Sequence, residues 1–363
     1  MKELGRAFLV LAAGLLSGLA LVASAAGTTA TQRRMVRHLQ VGVAALAIDG
    51  DRVAYDASSR LLAKPAANRV LVWNVRTGKT VRVSGKVTAG ADGTSTGAGV
   101  FQLALAGSRV AWLVNEGGNL EGDDYLFTSS TAKPREHQVA SAIRTGTFCP
   151  GRSASSCAGQ WLGGLVGSGN VIAANRWTTD ALGGVTAGEL DILSGTKLKR
   201  VATGANTVQA AVADAGRIAV LRADGTVGLY SAAGKLLRTV NTPPDTSAVA
   251  LGGKSLVAVT KSRQLVLYNA HTGSLRKTLP VHGINQPRNL DLQGDIAIYS
   301  VGSALHAVNL SSGKDRVVEE LRGGPLLAQI DGAGLVYASN RNGYRNGTKL
   351  GFAPFTQIAA AVG

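Results

Sequence analysis

Two consecutive stretches of this chain read as copies of one another. VADAGRIAVLRADGTVGLYSAAGKLLRTV runs from Val212 to Val240, and LGGKSLVAVTKSRQLVLYNAHTGSLRKTL from Leu251 to Leu279. Each passes through an apolar strand, a Gly turn, a second apolar strand, a polar turn, a third apolar strand, a Gly-Lys or Gly-Ser turn and a basic strand. One such unit cannot bury its apolar faces alone. Repetition lets neighbouring units bury them against each other, so the repeat constrains the fold more than any single motif.

The rest of the chain repeats the unit with insertions. The first Gly turn and its following apolar pair recur in Ile48–Tyr55, Leu105–Trp112, Val166–Ala174, Ala213–Leu221, Leu251–Val259, Leu292–Tyr299 and Ile330–Ala338. From Ile218 through Leu256 and Ile296 to Leu335 the spacing settles at about 40 residues, the length of a four-stranded propeller blade. The second half of the unit recurs in Val70–Val83, Gly188–Val201, Val227–Val240, Leu265–Leu279 and Leu305–Val318. A glycine suits the tight turn there because hairpin turns need positive φ. Cations such as Arg76, Lys79, Arg82, Lys86, Arg276 and Lys277 gather on the last strand, where charge discourages an exposed edge from pairing with other chains.

These seven units predict an all-β fold, a seven-bladed β-propeller of four-stranded antiparallel blades over 35–363. The last unit lacks a convincing fourth strand. Met35–Val41 is expected to supply it, with Thr356–Val362 as the competing candidate, and no helix is expected after residue 26. Of 363 residues, 47 are glycine, mostly single and at turns, and aromatic residues are 5%, so Val, Leu, Ile and Ala must build the core.

Residues 1–26 read as a signal peptide. Lys2 and Arg6 precede an apolar run from Phe8 to Ala23, and Ala23, Ser24 and Ala25 supply small residues for cleavage. An uncleaved anchor is the competing reading, and 27–34 read as a polar tether. Either way the expected location is extracytoplasmic: secreted, periplasmic or envelope-associated. In that setting Cys149 and Cys157, in a Pro/Gly/Ser-rich loop, read as one disulfide.

The formal net charge of +16 favours polyanions at low salt, which makes an anionic envelope polymer one expected partner. Nucleic acid is not expected, because no basic helix or interleaved aromatic strip is present. The B–C and inter-blade connections carry most insertions, with Asn115–Asp124 and Asn175–Gly188 among the expected loops, and long loops on a rigid ring are where binding concentrates. On that face Trp177 with Arg176, and Tyr344 with Arg341 and Arg345, are the candidate contacts for a protein partner. Glu116, Asn119, Glu121, Asp123 and Asp124 form an oxygen-rich candidate calcium site; no other cofactor is expected. Asp49, Asp291 and Asp331 recur before the Gly turn. They are either turn caps or the carboxylates of an enzyme site at the channel mouth. No catalytic constellation stands out, and Gly93–Gly97 matches the serine-elbow pattern without the strand and helix that motif needs.

Tyr268–Gly273 and Trp73–Lys79 resemble the third strand and following turn of WD-repeat, YVTN and quinoprotein-like propellers. Ser339–Gly343 is similar to the Ser-Asp-Arg-Asp-Gly turn of TolB-type propellers, with Asn in place of both Asp. The resemblance covers roughly residues 40–355 and implies the propeller fold. It also implies a protein-binding or scaffold role, with a lactonase, lyase or quinoprotein type of enzyme as the alternative.

Overall fold

A computed structural model describes residues 33–57, 69–85, 98–117, 121–145, 158–180, 184–203, 210–282, 287–320, 326–340 and 347–363. Arg33–Gly363 forms one compact unit. It is the expected seven-bladed propeller.

The chain begins with β1 (Met35–Leu39). Blade 1 is β2 (Leu46–Asp49), β3 (Arg52–Ala57), β4 (Arg69–Asn74) and β5 (Thr80–Arg82). Blade 2 is β6 (Ala98–Ala106), β7 (Arg109–Gly117), β8 (Glu121–Ser130) and β9 (His137–Thr145). Blade 3 is β10 (Gly159–Ser168), β11 (Val171–Thr179), β12 (Val185–Ser194) and β13 (Lys197–Thr203). Blade 4 is β14 (Ala210–Asp214), β15 (Arg217–Leu221), β16 (Thr226–Ser231) and β17 (Leu236–Asn241). Blade 5 is β18 (Thr246–Gly252), β19 (Ser255–Thr260), β20 (Gln264–Asn269) and β21 (Leu275–Pro280). Blade 6 is β22 (Arg288–Gln293), β23 (Ile296–Val301), β24 (Ala304–Asn309) and β25 (Asp315–Glu320). Blade 7 is β26 (Leu326–Ile330), β27 (Gly334–Asn340) and β28 (Thr348–Pro354), and α1 (Phe355–Val362) ends the chain.

Within each blade the strands pair antiparallel in sequence order, which we call A to D from the channel outward. Burial is deepest in the second strand and least in the outermost. All six residues of β19 are buried, whereas in β17 only Val240 is. A strand covered on both faces reads as a continuous apolar run, and an edge strand does not. Apolar clusters fill the spaces between neighbouring blades. One pair, Arg144↔Gly159, bridges blades 2 and 3.

The missing outer strand of blade 7 is β1, as expected. It pairs with β28 from Met35↔Phe352 to Leu39↔Thr348. Its cations lock it at both sides. Arg37 donates to Thr80 Oγ1 at 2.7 Å and lies over the Trp73 ring at 5.0 Å, tying β1 to blade 1. Arg34 pairs with Glu319 of blade 6 and donates to the Tyr337 hydroxyl at 3.2 Å, while Lys349 Nζ reaches the same carboxylate at 2.6 Å. Tyr337 is fully buried. A Cβ at Gly351 would fall 2.0 Å from its ring, so only glycine lets β28 pass there.

The competing candidate for that strand is a helix instead, which corrects both the strand reading and the expectation of no helix. Pro354 precedes α1, and Ile358 and Val362, four apart, are its buried face against blades 6 and 7. A second correction concerns the insertions of blades 2 and 3. Asn115–Asp124 and Asn175–Gly188 were expected as loops, but most of their length continues the B and C strands. The ladder of β7 and β8 runs out to Gly117↔Gly122, and that of β11 and β12 to Thr179↔Val185.

Candidate binding face and the channel

The antiparallel order puts the A–B and C–D turns at one end of every blade, the short-turn face. The B–C and inter-blade connections lie at the other end, the long-loop face. Between them runs the channel, lined by the A strands. An innermost strand is an edge, and its N–H groups need acceptors. Side chains of other blades supply them.

On the short-turn side, Asp331 Oδ2 accepts the N–H of Gly50 at 2.5 Å. Asp49 accepts those of Gly107 at 2.5 Å and Gly169 at 2.9 Å. Ser168 Oγ accepts that of Ala215 at 3.1 Å, and Asp214 that of Gly253 at 2.8 Å. Deeper in, Asp291 accepts from Ile330, Gln329 from Ile48 and Gln102 from Leu165. Arginines at the start of the B strands return the link. Arg52 donates to the Gly107 carbonyl at 3.4 Å, Arg109 to that of Asn170 at 2.5 Å, and Arg217 to that of Gly253. Gly50 and Gly107 have φ of 57° and 59°, the left-handed turn that presents these N–H groups.

The recurring Asp49, Asp291 and Asp331 are therefore acceptors that stitch blade to blade around a channel cavity of about 580 Å³. Burial in the channel wall raises the Asp291 carboxyl to about 7, against two N–H donors that favour its charge; the nearby Asp331 and Asp214 push the same way as burial. Asp331 is raised to about 6, again chiefly by burial, with Asp49 adding to it.

The long-loop mouth of the channel differs. A cavity of about 510 Å³ opens there between blades 7, 1, 2 and 3. Phe101, Trp177 and Val185 line it together with three amides, Gln102, Asn175 and Gln329, and none of the described lining residues is charged. Two irregularities shape it. In β6 the register slips between Val100 and Gln102, leaving Phe101 as the extra, exposed residue. In β10 it slips between Gly163 and Val166. Bulges re-aim side chains in this way. The two glycines at the second bulge also make room: Trp177 lies against Gly163 and Asn175 against Gly164, where a Cβ would collide with either side chain.

Trp177 stands on the strand extension of blade 3. It pairs across the ladder with Trp161, ring centroids 6.1 Å apart and planes within 2°, and Trp161 Nε1 donates to Thr179 Oγ1 at 3.0 Å. Two residues back along the strand, Asn175 is 1% exposed, and among the described residues its Oδ1 has no hydrogen-bond partner. A buried amide oxygen without a donor is costly, and Asn175 is one of the residues around the cavity.

Arg176, next in sequence, points to the opposite face of the sheet. Its Nε is 3.9 Å from Asp191, whose carboxyl is raised by burial against the pull of Arg176. Trp177 and Arg176 thus do not form one patch. Arg341, Tyr344 and Arg345 lie outside the described residues, as do Cys149 and Cys157, the Gly93–Gly97 segment and Asn119.

The remaining oxygens of the candidate calcium site divide. Glu116 pairs with Asp123 and Asn115 with Asp124, and successive strand residues face opposite sides. Asp124, 2% exposed, accepts from Asn115 Nδ2 at 2.9 Å and from the Leu162 N–H of blade 3 at 3.2 Å. Asp123 instead accepts the Tyr125 hydroxyl at 3.0 Å; burial and that hydrogen bond push the phenol up to about 12. Glu121 sits in β8. Among the described residues no three His, Cys, Asp or Glu side chains converge as a metal site.

One cluster escaped the sequence reading. His306 Nδ1 meets Asp315 Oδ1 at 2.9 Å, Tyr299 donates its hydroxyl to the same carboxylate, and the Tyr299 and His306 rings stack at 4.9 Å. Burial raises Asp315, but hydrogen bonds from His306 and Tyr299 outweigh it and hold the carboxyl low. The cluster closes the space between blades 5 and 6, where Tyr299 belongs to the apolar packing.

No protein-family model matches the chain, and no curated protein matches it. Solved structures do. A chain in a crystal structure of a mitotic checkpoint complex superposes with a TM-score of 0.52 at 13% identity, covering 98% of this chain and 100% of that one. The WD40 β-propeller domain of Doa1 gives 0.51 at 12% identity, covering 90% and 97%. At such identities the likeness establishes the fold alone: the chain is a seven-bladed β-propeller.

Proposed function

We propose that this chain is a non-catalytic, exported propeller that binds another protein through its long-loop face, centred on the channel mouth of blades 2 and 3. The observation that carries the reading is a mouth whose described lining residues carry no charge: Phe101 exposed and Trp177 half-buried beside the amides Gln102, Asn175 and Gln329. An exposed ring at a bulge and a half-buried ring on the neighbouring hairpin, ringed by amides, suit an apolar side chain of a partner. The recurring Asp49, Asp291 and Asp331 are engaged with backbone N–H groups, which supports a structural role for them. The apolar run of residues 8–23 behind Lys2 and Arg6 supports export.

The test is purification of the protein from its own extracytoplasmic fraction at moderate salt, with its companions identified by mass spectrometry. A companion held by the wild type should dissociate at least tenfold more readily from Trp177→Ala and Phe101→Ala. Equal retention by both variants would remove the mouth from the reading. Recovery of the protein only in the cytoplasm would remove export.

A further inference from the structure

The short-turn face carries a second surface of opposite character. The C–D turns of blades 1 to 4 present Lys79, Lys133, Lys197 and Lys235, and the A–B turn of blade 5 presents Lys254; all five are exposed. Among the described residues no carboxylate pairs with any of them. The acids on this face are engaged elsewhere. Asp51 pairs with Arg76 at 3.0 Å, and Asp295 accepts the hydroxyls of Ser255 and Ser311. Asp49, Asp214 and Asp331 hold backbone N–H groups at the channel. The outer ring of the face is thus left with lysine charge.

The ends of the described chain lie at the same face. Strand β1 runs antiparallel to β28 and so starts there, behind the exposed Arg33. The terminal Gly363 carbonyl accepts from Lys314 Nζ, in the C–D turn of blade 6, at 2.5 Å. In the sequence, the apolar run that ends at Ala23 precedes Arg33 by only ten residues, a reach of about 35 Å even when extended.

We infer that the short-turn face docks electrostatically on an anionic lipid surface, leaving the long-loop mouth turned toward solution. Lysines in a plane meet such a surface together, and each adds attraction that fades within a Debye length. This inference does not depend on the protein-binding reading, since it concerns the opposite face.

The experiment is flotation of the full chain with vesicles of phosphatidylcholine alone and of phosphatidylcholine mixed with phosphatidylglycerol. The ratio of the two partition coefficients cancels any insertion of the N-terminal apolar run. The wild type should favour the mixed vesicles, and the ratio should collapse as salt rises. Each lysine near the surface is worth about fivefold, so joint Lys79→Glu, Lys133→Glu, Lys197→Glu and Lys235→Glu should cut the ratio by at least about a hundredfold. A long-loop control, Arg69→Glu with Lys261→Glu and Arg288→Glu, should leave most of it. Thermal melting verifies that each variant is folded, and Lys→Gln at the same four sites serves if the reversed set is not. An unchanged ratio in the lysine variants, or an equal loss in the control, would overturn the inference. So would full competition by soluble polyphosphate at matched charge, which would show a preference for polyanions rather than for a surface.

Discussion

The two faces of the ring are made by the same strands, but they leave different groups unused. On the short-turn face almost every side chain near the channel is spent on the next blade: Asp331 on Gly50, Asp49 on Gly107 and Gly169, Asp214 on Gly253, with Arg52, Arg109 and Arg217 returning the link. On the long-loop face the repeat breaks. Blades 2 and 3 grow taller, β6 and β10 bulge, and Asn175 is left with an oxygen that nothing among the described residues satisfies. The regular face closes the ring, and the irregular face is the one left with something to bind.

The hardest test of that division is on the closing seam. Tyr337 is fully buried and gathers Arg34, Lys349 and the bare backbone of Gly351. Tyr337→Ala should cost about 3–5 kcal/mol, as large aromatic truncations in cores do, and should appear in chemical denaturation together with loss of amide protection in β1. Next comes Asp49→Ala, which leaves the half-buried Gly107 N–H without its acceptor and the exposed Gly169 N–H to water. About 1–2 kcal/mol is expected from that deficit, with the mouth on the other face keeping its partner. If Asp49→Ala abolished partner binding in a protein that still melted cooperatively, the two faces would not be separable.

Acidity sharpens the same contrast, because the two carboxyls raised most, Asp291 and Asp331, lie at the stitched channel wall. Asp291 is raised to about 7 and Asp331 to about 6 from an ordinary 3.8. A carboxyl raised on folding adds stability that is complete below its ordinary pKa and is lost as pH climbs through the folded value. Between pH 4 and 7 these two groups should therefore lower stability as pH rises, on the order of a few kcal/mol together. Asp315, held low, acts in the opposite sense at more acid pH. Asp291→Asn should flatten the slope approaching pH 7 in melts taken across the range. A slope that survives unchanged would assign the pH dependence to other groups.

Much of this contrast could be read from the chain, and the unread parts share a cause. The units around Ile218 and Leu256 state the blade directly, and Met35–Val41 was left over where a ring needs one more strand. What failed depended on pairing across strands. Asp49 and Asp331 look like turn caps in one dimension, since the N–H groups they serve lie in another blade. His306 and Asp315 meet only because the β24 and β25 ladder slips between Leu305 and His306. Trp177 was visible as an aromatic in a polar stretch, but its stack on Trp161 needs the register of β10 and β11. Phe355–Val362 is short and alanine-rich; its helical signal is the single pair Ile358 and Val362, too little to outweigh a repeat that asked for a strand.

The smallest expected effect on stability is the most informative about function. Phe101 is 36% exposed at a bulge, outside the regular pairing of β6 with β7. Phe101→Ser should shift stability by no more than about 0.5 kcal/mol, as surface changes do. Its ring contributes instead to the apolar wall of the mouth opposite the long hairpin of blade 3. If that wall receives a partner, the same substitution should raise the dissociation rate at least tenfold while the melting curve stays in place. A variant that neither melts earlier nor releases its partner faster would show that the exposed ring is incidental, and that recognition lies farther out on the blade 3 hairpin. Trp177→Phe, which keeps an aromatic ring over Gly163 and shortens its reach, would then decide between the cavity and the hairpin.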